Sequence, residues 1–348
     1  MMRTDFHPLR VARVERLTED SAAVTFAVPA ELQPVFAFAP GQSLTIRRGA
    51  ERRSYSICSP TGRPPRIGVR VVDGGAVSGW LTHDVRAGDV VDVQMPAGSF
   101  TPDLTAPGHH VLIAAGSGIT PMMSIAGSAL AARDDTTVTL VYGNRRSDSV
   151  MFADEVADLK DAFPARMHLV HVLSREPQEV ELFHGRIDAA KLRELLPALG
   201  VTHADHWWLC GPFGMVTDAV DVLTELGVPR GRVHRELFFV GDDPPDEVHH
   251  VDAPRGPGAE VTVVLDGRST TVTVPPATAV LDGAQQVRPD LPFACKGGVC
   301  GTCRAKVTAG EVRMVRNYAL EQDELDDGYV LTCQSLPITD AVTVDYDV

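Results

Sequence analysis

The 348-residue chain has no apolar run near the eighteen or so residues a membrane helix needs, and its opening Met1-Met2-Arg3-Thr4-Asp5 has no apolar stretch of the signal-peptide kind. A cytoplasmic protein is expected. Positive charge is also scarce: 32 Lys and Arg against 46 Asp and Glu leave a net charge of -14. That balance speaks against a nucleic-acid partner, because phosphate binding needs a basic face. An acidic surface suits a basic protein partner or serves solubility alone. Internal repeats and low-complexity tracts are missing too. Two of the six cysteines, Cys58 and Cys210, lie far from the others, so no secreted disulfide framework is indicated. With 44% hydrophobic residues the chain has material for two or three cores.

The other four cysteines carry the strongest signal. Cys295, Cys300 and Cys303 stand in a C-x4-C-x2-C run, and Cys333 follows at a distance, the spacing of a plant-type [2Fe-2S] site. Four thiolates must converge on two irons, so the loop has to bend sharply and point its N–H groups inward; Gly297, Gly298 and Gly301 allow that bend. A four-cysteine zinc site is the alternative, but such sites more often use two C-x2-C pairs, and one is present here.

Residues 11 to 96 hold short β-rich runs, among them Ala23 to Phe26, Ser43 to Ile46, Ile67 to Val72 and Val90 to Gln94, separated by Gly and Pro. A small antiparallel β-barrel is expected there, over residues 1–104. From Val111 the rhythm becomes strand then helix, with strands at Val111 to Ala115, Val138 to Tyr142, Leu169 to Leu173 and Trp207 to Cys210. This predicts a doubly wound parallel α/β domain over residues 105–240. Residues 241–258, proline-rich and acidic, read as a linker spanning roughly 20 to 25 Å as a coil. Residues 259–348 form the last domain: a hairpin of Val261 to Leu265 and Thr270 to Val274 around Asp266-Gly267, a short helix near Val280 to Gln286, then the cysteine loop.

Several motifs fall on these elements. Arg53-Ser54-Tyr55-Ser56 lies on a strand that puts Arg53 and Tyr55 on one face, suited to a flat, anionic cofactor, although a surface strand can look the same. Downstream, Gly74 to Ser78 opens a helix with Ser78 as the expected N-cap, and free N–H groups there bind phosphate. Gly116-Ser117-Gly118-Ile119-Thr120-Pro121 joins an apolar strand to a helix. It lacks the third glycine of a dinucleotide fingerprint, but Thr120 as cap and Pro121 at the first helical position fit a phosphate-binding turn. Arg145 and Arg146 follow the second strand, and Ser174-Arg175 the third; arginine at this place favours a 2′-phosphate, hence NADPH over NADH. Cys210-Gly211-Pro212 closes the fourth strand, and Glu236-Leu237-Phe238 follows a fifth. Both lie where open α/β sheets bind ligands. The acidic run from Glu321 to Asp327 reads as a solvated helix. Trp207, Trp208, His109-His110 and His249-His250 have no ligand spacing.

Taken in order, these motifs resemble the ferredoxin–NADP reductase superfamily fused to a plant-type ferredoxin domain, of β-grasp fold. Within it the chain is most similar to the reductase subunits of phenylacetyl-CoA epoxidases, on the segments Leu291 to Cys300, Asn317-Tyr318 and Gly328 to Gln334. The resemblance implies FAD, with its ring near Arg53, Ser54, Tyr55, Ser56, Val69, Arg70, Val71 and Thr120 and its pyrophosphate near Gly75, Val77 and Ser78. FMN shares the R-x-Y-S strand. A nicotinamide site is implied at Ser56, Cys210 and Glu236, with Phe238 where an aromatic covers the flavin. Gly116, Gly118, Gly211 and Pro212 are expected to hold the nucleotide, with Arg145, Arg146, Ser174 and Arg175 at its far end. The implied activity is hydride uptake from NADPH and single-electron delivery through the cluster to the oxygenase component of a multisubunit complex. NADH with a Rieske oxygenase is the rival, and a non-catalytic redox module a further one.

Overall fold

The computed structural model describes residues 6–49, 51–238, 258–320 and 322–348. These form two compact units, the larger holding residues 7–51 and 55–238 and the smaller 258–348 together with 52–54 and Phe6. The segment read as a linker, 241–258, lies outside the described residues except for Gly258.

Six strands come first along the chain: β1 (Phe6–Thr18), β2 (Ser21–Ala27), β3 (Ser43–Arg48), β4 (Glu51–Ser56), β5 (Arg66–Arg70) and β6 (Val90–Gln94). Their order is β4-β3-β6-β1-β2-β5. The two outer strands meet, because Ile57 bridges Ile67 and the Cys58 N–H donates to the Arg66 carbonyl at 2.8 Å. The sheet thus closes on itself as an antiparallel barrel, as the alternating runs predicted. Its core is Leu9, Phe26, Leu44, Ile46, Ile67 and Val69, each fully buried, and helix α1 (Ala76–His83) packs on it through Val77 and Leu81. One strand is shorter than read: β5 ends at Arg70, after which Val71 bonds the Asp20 carbonyl instead.

The second half of the larger unit is a parallel sheet of β7 (His109–Ala115), β8 (Thr137–Asn144), β9 (Met167–Leu173), β10 (His206–Gly211) and β11 (Val233–Leu237). Helices α2 (Ile119–Ala132), α3 (Ala153–Ala162), α4 (Ala189–Ala198) and α5 (Phe213–Glu225) connect them. The order β11-β10-β7-β8-β9 reverses direction between β7 and β10. At such a switch point the strand ends splay their loops apart and leave a crevice. Trp208 and His110, which have no ligand spacing, serve packing: the Trp208 Nε1–H donates to His110 Nδ1 at 3.1 Å, and the Trp208 ring stacks on His234 at 4.1 Å; the pair His249-His250 lies outside the described residues.

The smaller unit orders β12 (Ala259–Leu265), β13 (Arg268–Val274), β14 (Arg304–Ala309), β16 (Tyr329–Leu331) and β18 (Ala341–Asp345) as β13-β12-β18-β14-β16. A second small sheet pairs β15 (Val312–Met314) with β17 (Ser335–Pro337). Helix α6 (Val280–Ala284) crosses the main sheet, and α7 (Gln322–Asp326) is the expected acidic helix. The β12–β13 hairpin turns on Asp266 and Gly267, both with positive φ (54° and 68°), the backbone of a type I′ turn. The mixed sheet with one crossing helix is the β-grasp arrangement.

Candidate functional site

On the barrel side, β4 presents Arg53 exposed, Ser54 and Tyr55 half-buried, and Ser56 buried. Beyond β5, Gly74 takes a positive φ of 67° and Gly75 is the N-cap of α1, with no side chain capping the first turn. Ser78, expected as the cap, stands inside that first turn instead. Its hydroxyl accepts from the Val72 N–H at 3.1 Å and donates to the Gly75 carbonyl at 3.1 Å, tying the loop to the helix. Because the cap is a glycine, the first N–H groups of this eight-residue helix have no side-chain partner, which fits a pyrophosphate.

The parallel-sheet turn differs from expectation in the same way. Residues Gly116–Gly118 form a 3-10 turn that runs directly into α2, so Gly118 is the cap, and Thr120 and Pro121 sit within the first turn. Thr120 is buried and its hydroxyl donates to the Ser117 carbonyl at 3.0 Å. Gly116 has φ of 55°, and its carbonyl accepts from the Tyr142 hydroxyl at 3.0 Å. A Cβ on Gly118 would overlap the Cys210 carbonyl, so glycine here allows the turn to lie on the end of β10. Tyr142 carried no sequence signal because a core tyrosine looks like any other apolar strand residue.

These two halves meet at β5. A Cβ on Gly68 would fall 2.5 Å from Thr120 Cγ2 and 2.9 Å from the Phe152 ring. Next to it Arg66 makes a bidentate pair with Glu155 of α3 at 2.6 and 2.9 Å and reaches Glu15 at 3.0 Å. Arg70 is similarly engaged, by Asp20 at 3.2 Å and the Ser149 carbonyl at 2.7 Å. Neither Gly68 nor Arg66 belongs to a motif, and only the three-dimensional contact reveals them.

At the switch point the structure brings together the three candidates Ser56, Cys210 and Glu236. Cys210 and Glu236 are register neighbours on β10 and β11, and the Ser56 hydroxyl donates to Glu236 Oε2 at 2.9 Å. Glu236 keeps part of its surface exposed, but protein packs around the carboxyl, and burial pushes it up to about 7 against the lowering pull of the Ser56 hydrogen bond. Burial likewise raises the Cys210 thiol, and the Glu236 charge adds to the effect, so this sulfur stays protonated. Gly211 and Pro212 follow, Pro212 as the N-cap of α5. Phe238, after β11, packs on the core of the parallel sheet. The far-end candidates Arg145, Arg146 and Arg175 are exposed, with Ser174 half-buried beside them.

In the smaller unit the four cysteines are gathered as two pairs. Cys295 with Cys300, and Cys303 with Cys333, stand close enough that within each pair one thiol is pushed up and the other down by its partner. Among the described residues no three His, Cys, Asp or Glu side chains converge on one metal ion. Two pairs of thiols suit two irons, each taking one pair, better than a single tetrahedral zinc. A loop N–H points inward, that of Gly297, 3.3 Å from the Cys295 sulfur, and the Gln334 side-chain amide lies 3.8 Å from that of Cys333. Gly298 and Gly301 bend with φ of 80° and 66°, whereas Gly297 does not and Lys296 does, at 53°. The Gln334 amide also donates to the Lys296 carbonyl at 2.8 Å, holding that strained residue in place.

Comparison with known proteins identifies two domain families in the chain. Residues 112–221 match the model of the oxidoreductase NAD-binding domain, and residues 263–337 that of the 2Fe-2S iron-sulfur cluster binding domain. The chain is 42% identical over 353 residues to one of the subunits that make up the 1,2-phenylacetyl-CoA epoxidase of Escherichia coli (strain K12), covering 99% of this chain and 98% of the relative. It is 37% identical over 355 residues to the ferredoxin reductase component of 3-ketosteroid-9-alpha-monooxygenase from Mycobacterium tuberculosis, covering 97% and 95%. Among solved structures, phthalate dioxygenase reductase superposes with a TM-score of 0.59 at 24% identity over 98% of each chain. An intact self-sufficient cytochrome P450 monooxygenase gives a TM-score of 0.69 at 21% identity, and there this chain spans 41% of the longer protein. No helix among the described residues is long and apolar enough to cross a membrane. The chain therefore belongs to the ferredoxin–NADP reductase superfamily, among the members that carry a plant-type [2Fe-2S] ferredoxin domain and act as reductase components of oxygenase systems.

Proposed function

We propose that this chain takes a hydride from NADPH and delivers its electrons one at a time to the di-iron oxygenase subunit of a phenylacetyl-CoA 1,2-epoxidase. The observation that carries the catalytic part is the hydrogen bond from Ser56, on the flavin-side barrel, to the enclosed Glu236 beside Cys210, on the nucleotide-side sheet. The full-length 42% identity to the Escherichia coli relative supports the choice of partner. Bound FAD supplies two-electron uptake with single-electron release, and a [2Fe-2S] cluster carries the electrons on at a potential of about -400 mV.

In this reading Arg53, Ser54, Tyr55, Val69, Arg70, Val71 and Thr120 hold the flavin ring, and Gly75, Val77 and Ser78 shape its pyrophosphate cradle. Phe238 covers the ring. Gly116, Gly118, Gly211 and Pro212 line the nucleotide crevice, and Arg145, Arg146, Ser174 and Arg175 meet the 2′-phosphate. Ser56, Cys210 and Glu236 orient the nicotinamide; a protonated thiol and a carboxyl titrating near 7 give that ring one donor and one acceptor without a buried full charge. Cys295, Cys300, Cys303 and Cys333 hold the cluster. Residues 1–104, 105–240 and 259–348 then divide the work as flavin, nucleotide and ferredoxin domains.

An anaerobic visible spectrum before and after NADPH, with electron paramagnetic resonance on the reduced sample, tests the path. Flavin bleaching with a rhombic [2Fe-2S] signal is expected; bleaching without that signal would overturn either the cluster assignment or its electronic connection to the flavin. A second reading, NADH-driven supply of a Rieske oxygenase, is favoured by the 37% identity to the ketosteroid monooxygenase reductase. Offering purified oxygenases in turn to the reduced protein separates the two, and absence of turnover with the epoxidase defeats the first.

A further inference from the structure

Past their last paired residues, β8 and β9 continue side by side: the Ser174 N–H donates to the Asn144 carbonyl at 2.9 Å and the Arg175 N–H to the Arg145 carbonyl at 2.8 Å. Arg145 and Arg175 therefore stand on adjacent strand ends. The residue after Arg175, Glu176, reaches the neighbouring loop, where the N–H and the hydroxyl of Ser147 both donate to its Oε2, at 2.8 and 2.9 Å. Those two hydrogen bonds, the backbone one first, and the nearby Arg146 charge hold the carboxyl below its ordinary value. Arg146 itself is 3.5 Å from Asp148. A negative charge is thus tethered beside Arg146 and one residue along the chain from Arg175. Two charge-assisted bonds restrain a side chain that would otherwise swing into solvent.

We propose that Glu176 is the residue that sets the choice of electron donor. Its tethered carboxylate stands against the 2′-phosphate that Arg145 and Arg175 attract, and it accepts a hydroxyl of the unphosphorylated ribose, so both NADPH and NADH are used within a narrow ratio. The inference rests on the reading that the adenosine end of the nucleotide lies over these two strand ends. Acid favours the ribose diol and arginine the phosphate, and here both occupy one place. A phosphate of about two charges facing one carboxylate at about 6 Å in water-like surroundings loses roughly tenfold in affinity, and salt shrinks the factor.

The test is steady-state ferricyanide reduction by the full holoprotein with each donor, at low and high salt, for wild type, Glu176→Gln, Ser147→Ala and the Arg145→Ala/Arg175→Ala pair. Glu176→Gln is expected to lower the KM for NADPH about tenfold at low salt and less at high salt, while the KM for NADH rises. Ser147→Ala should act in the same direction but less, because the backbone N–H still holds the carboxylate. The two KM values moving together in Glu176→Gln, or neither moving, overturns the proposal. If the arginine pair raises the KM for NADPH while Glu176→Gln changes nothing, Glu176 alone has been misassigned. If the arginine pair also leaves that KM unchanged, the adenosine end lies elsewhere and the underlying reading fails.

Discussion

Replacing Glu236 by Gln should stabilise the protein and slow flavin reduction together, and the stability gain should depend on pH in a defined direction. The Glu236 carboxyl is pushed from 4.5 up to about 7 by burial. Because the folded-state value is the higher one, the folded protein binds more protons between these two values. Stability contributed by this group is therefore greatest below about pH 4.5 and falls as pH rises through about 7. The linkage integral gives a cost of about 3 kcal/mol at pH 8 and about 1.5 kcal/mol at pH 5.5. The part of Glu236 that stays exposed makes these figures ceilings. Glutamine keeps the volume and can still accept from Ser56, but it carries no charge, so the variant should escape the cost. Urea unfolding of wild type and Glu236→Gln, compared at pH 5.5, 6.5 and 8, reads the difference, and groups common to both chains cancel. Stopped-flow flavin reduction by NADPH should be slowed in the same variant. A stability difference that stays constant from pH 5.5 to 8 would refute the argument from burial, and unchanged flavin reduction would refute the role at the nicotinamide.

Cys300→Ser should abolish the [2Fe-2S] resonance while NADPH-driven ferricyanide reduction persists; a retained intact signal contradicts Cys300 as a cluster ligand. Gly68→Ala must push Thr120 or Phe152 aside by several tenths of an ångström or more, and slower hydride transfer, by up to about a hundredfold with binding of NADPH little changed, is expected from stopped flow. Equal rates in that variant would show that the contact at β5 does not set the reaction geometry. Arg66→Met removes a bidentate pair and leaves Glu155 and Glu15 unpartnered by it. Both glutamates are partly exposed, so a loss of about 2 kcal/mol in urea unfolding is expected rather than the larger cost of a fully buried pair.

The elements most legible in the sequence were those fixed by local periodicity. The strands around Val111, Val138, Leu169 and Trp207 and the Asp266-Gly267 hairpin lie where alternation and turn chemistry put them. The two misplaced helix caps share one cause. A Ser or Thr in the opening turn looks like a cap in sequence, yet in each case a glycine just before it takes the cap position, and the hydroxyl of Ser78 or Thr120 turns back to bond the loop. The bend at Lys296 was missed for the opposite reason, since a lysine at φ of 53° has no sequence signature and is held there by a distant amide, that of Gln334. Long-range contacts of this type, Arg66 with Glu155 or Tyr142 with Gly116, leave no trace in spacing.

Three of those contacts act on one problem. The barrel and the parallel sheet meet through Arg66 on Glu155, through the missing side chain of Gly68 against Thr120 and Phe152, and through Ser56 on Glu236. The first is a charged clamp at the rim, and the second brings the two backbones close without a void. Either could be built from other residues of similar shape. The third could be replaced by an apolar pair at a gain in stability, because an enclosed carboxyl titrating near 7 opposes folding at neutral pH. A fold free to choose would place the ionisable group at the rim and the apolar contact inside. Here the costly group stands at the carboxyl end of the sheet, beside a protonated thiol and bonded to the barrel through Ser56, a place where a polar group that changes charge near neutrality has chemistry to do.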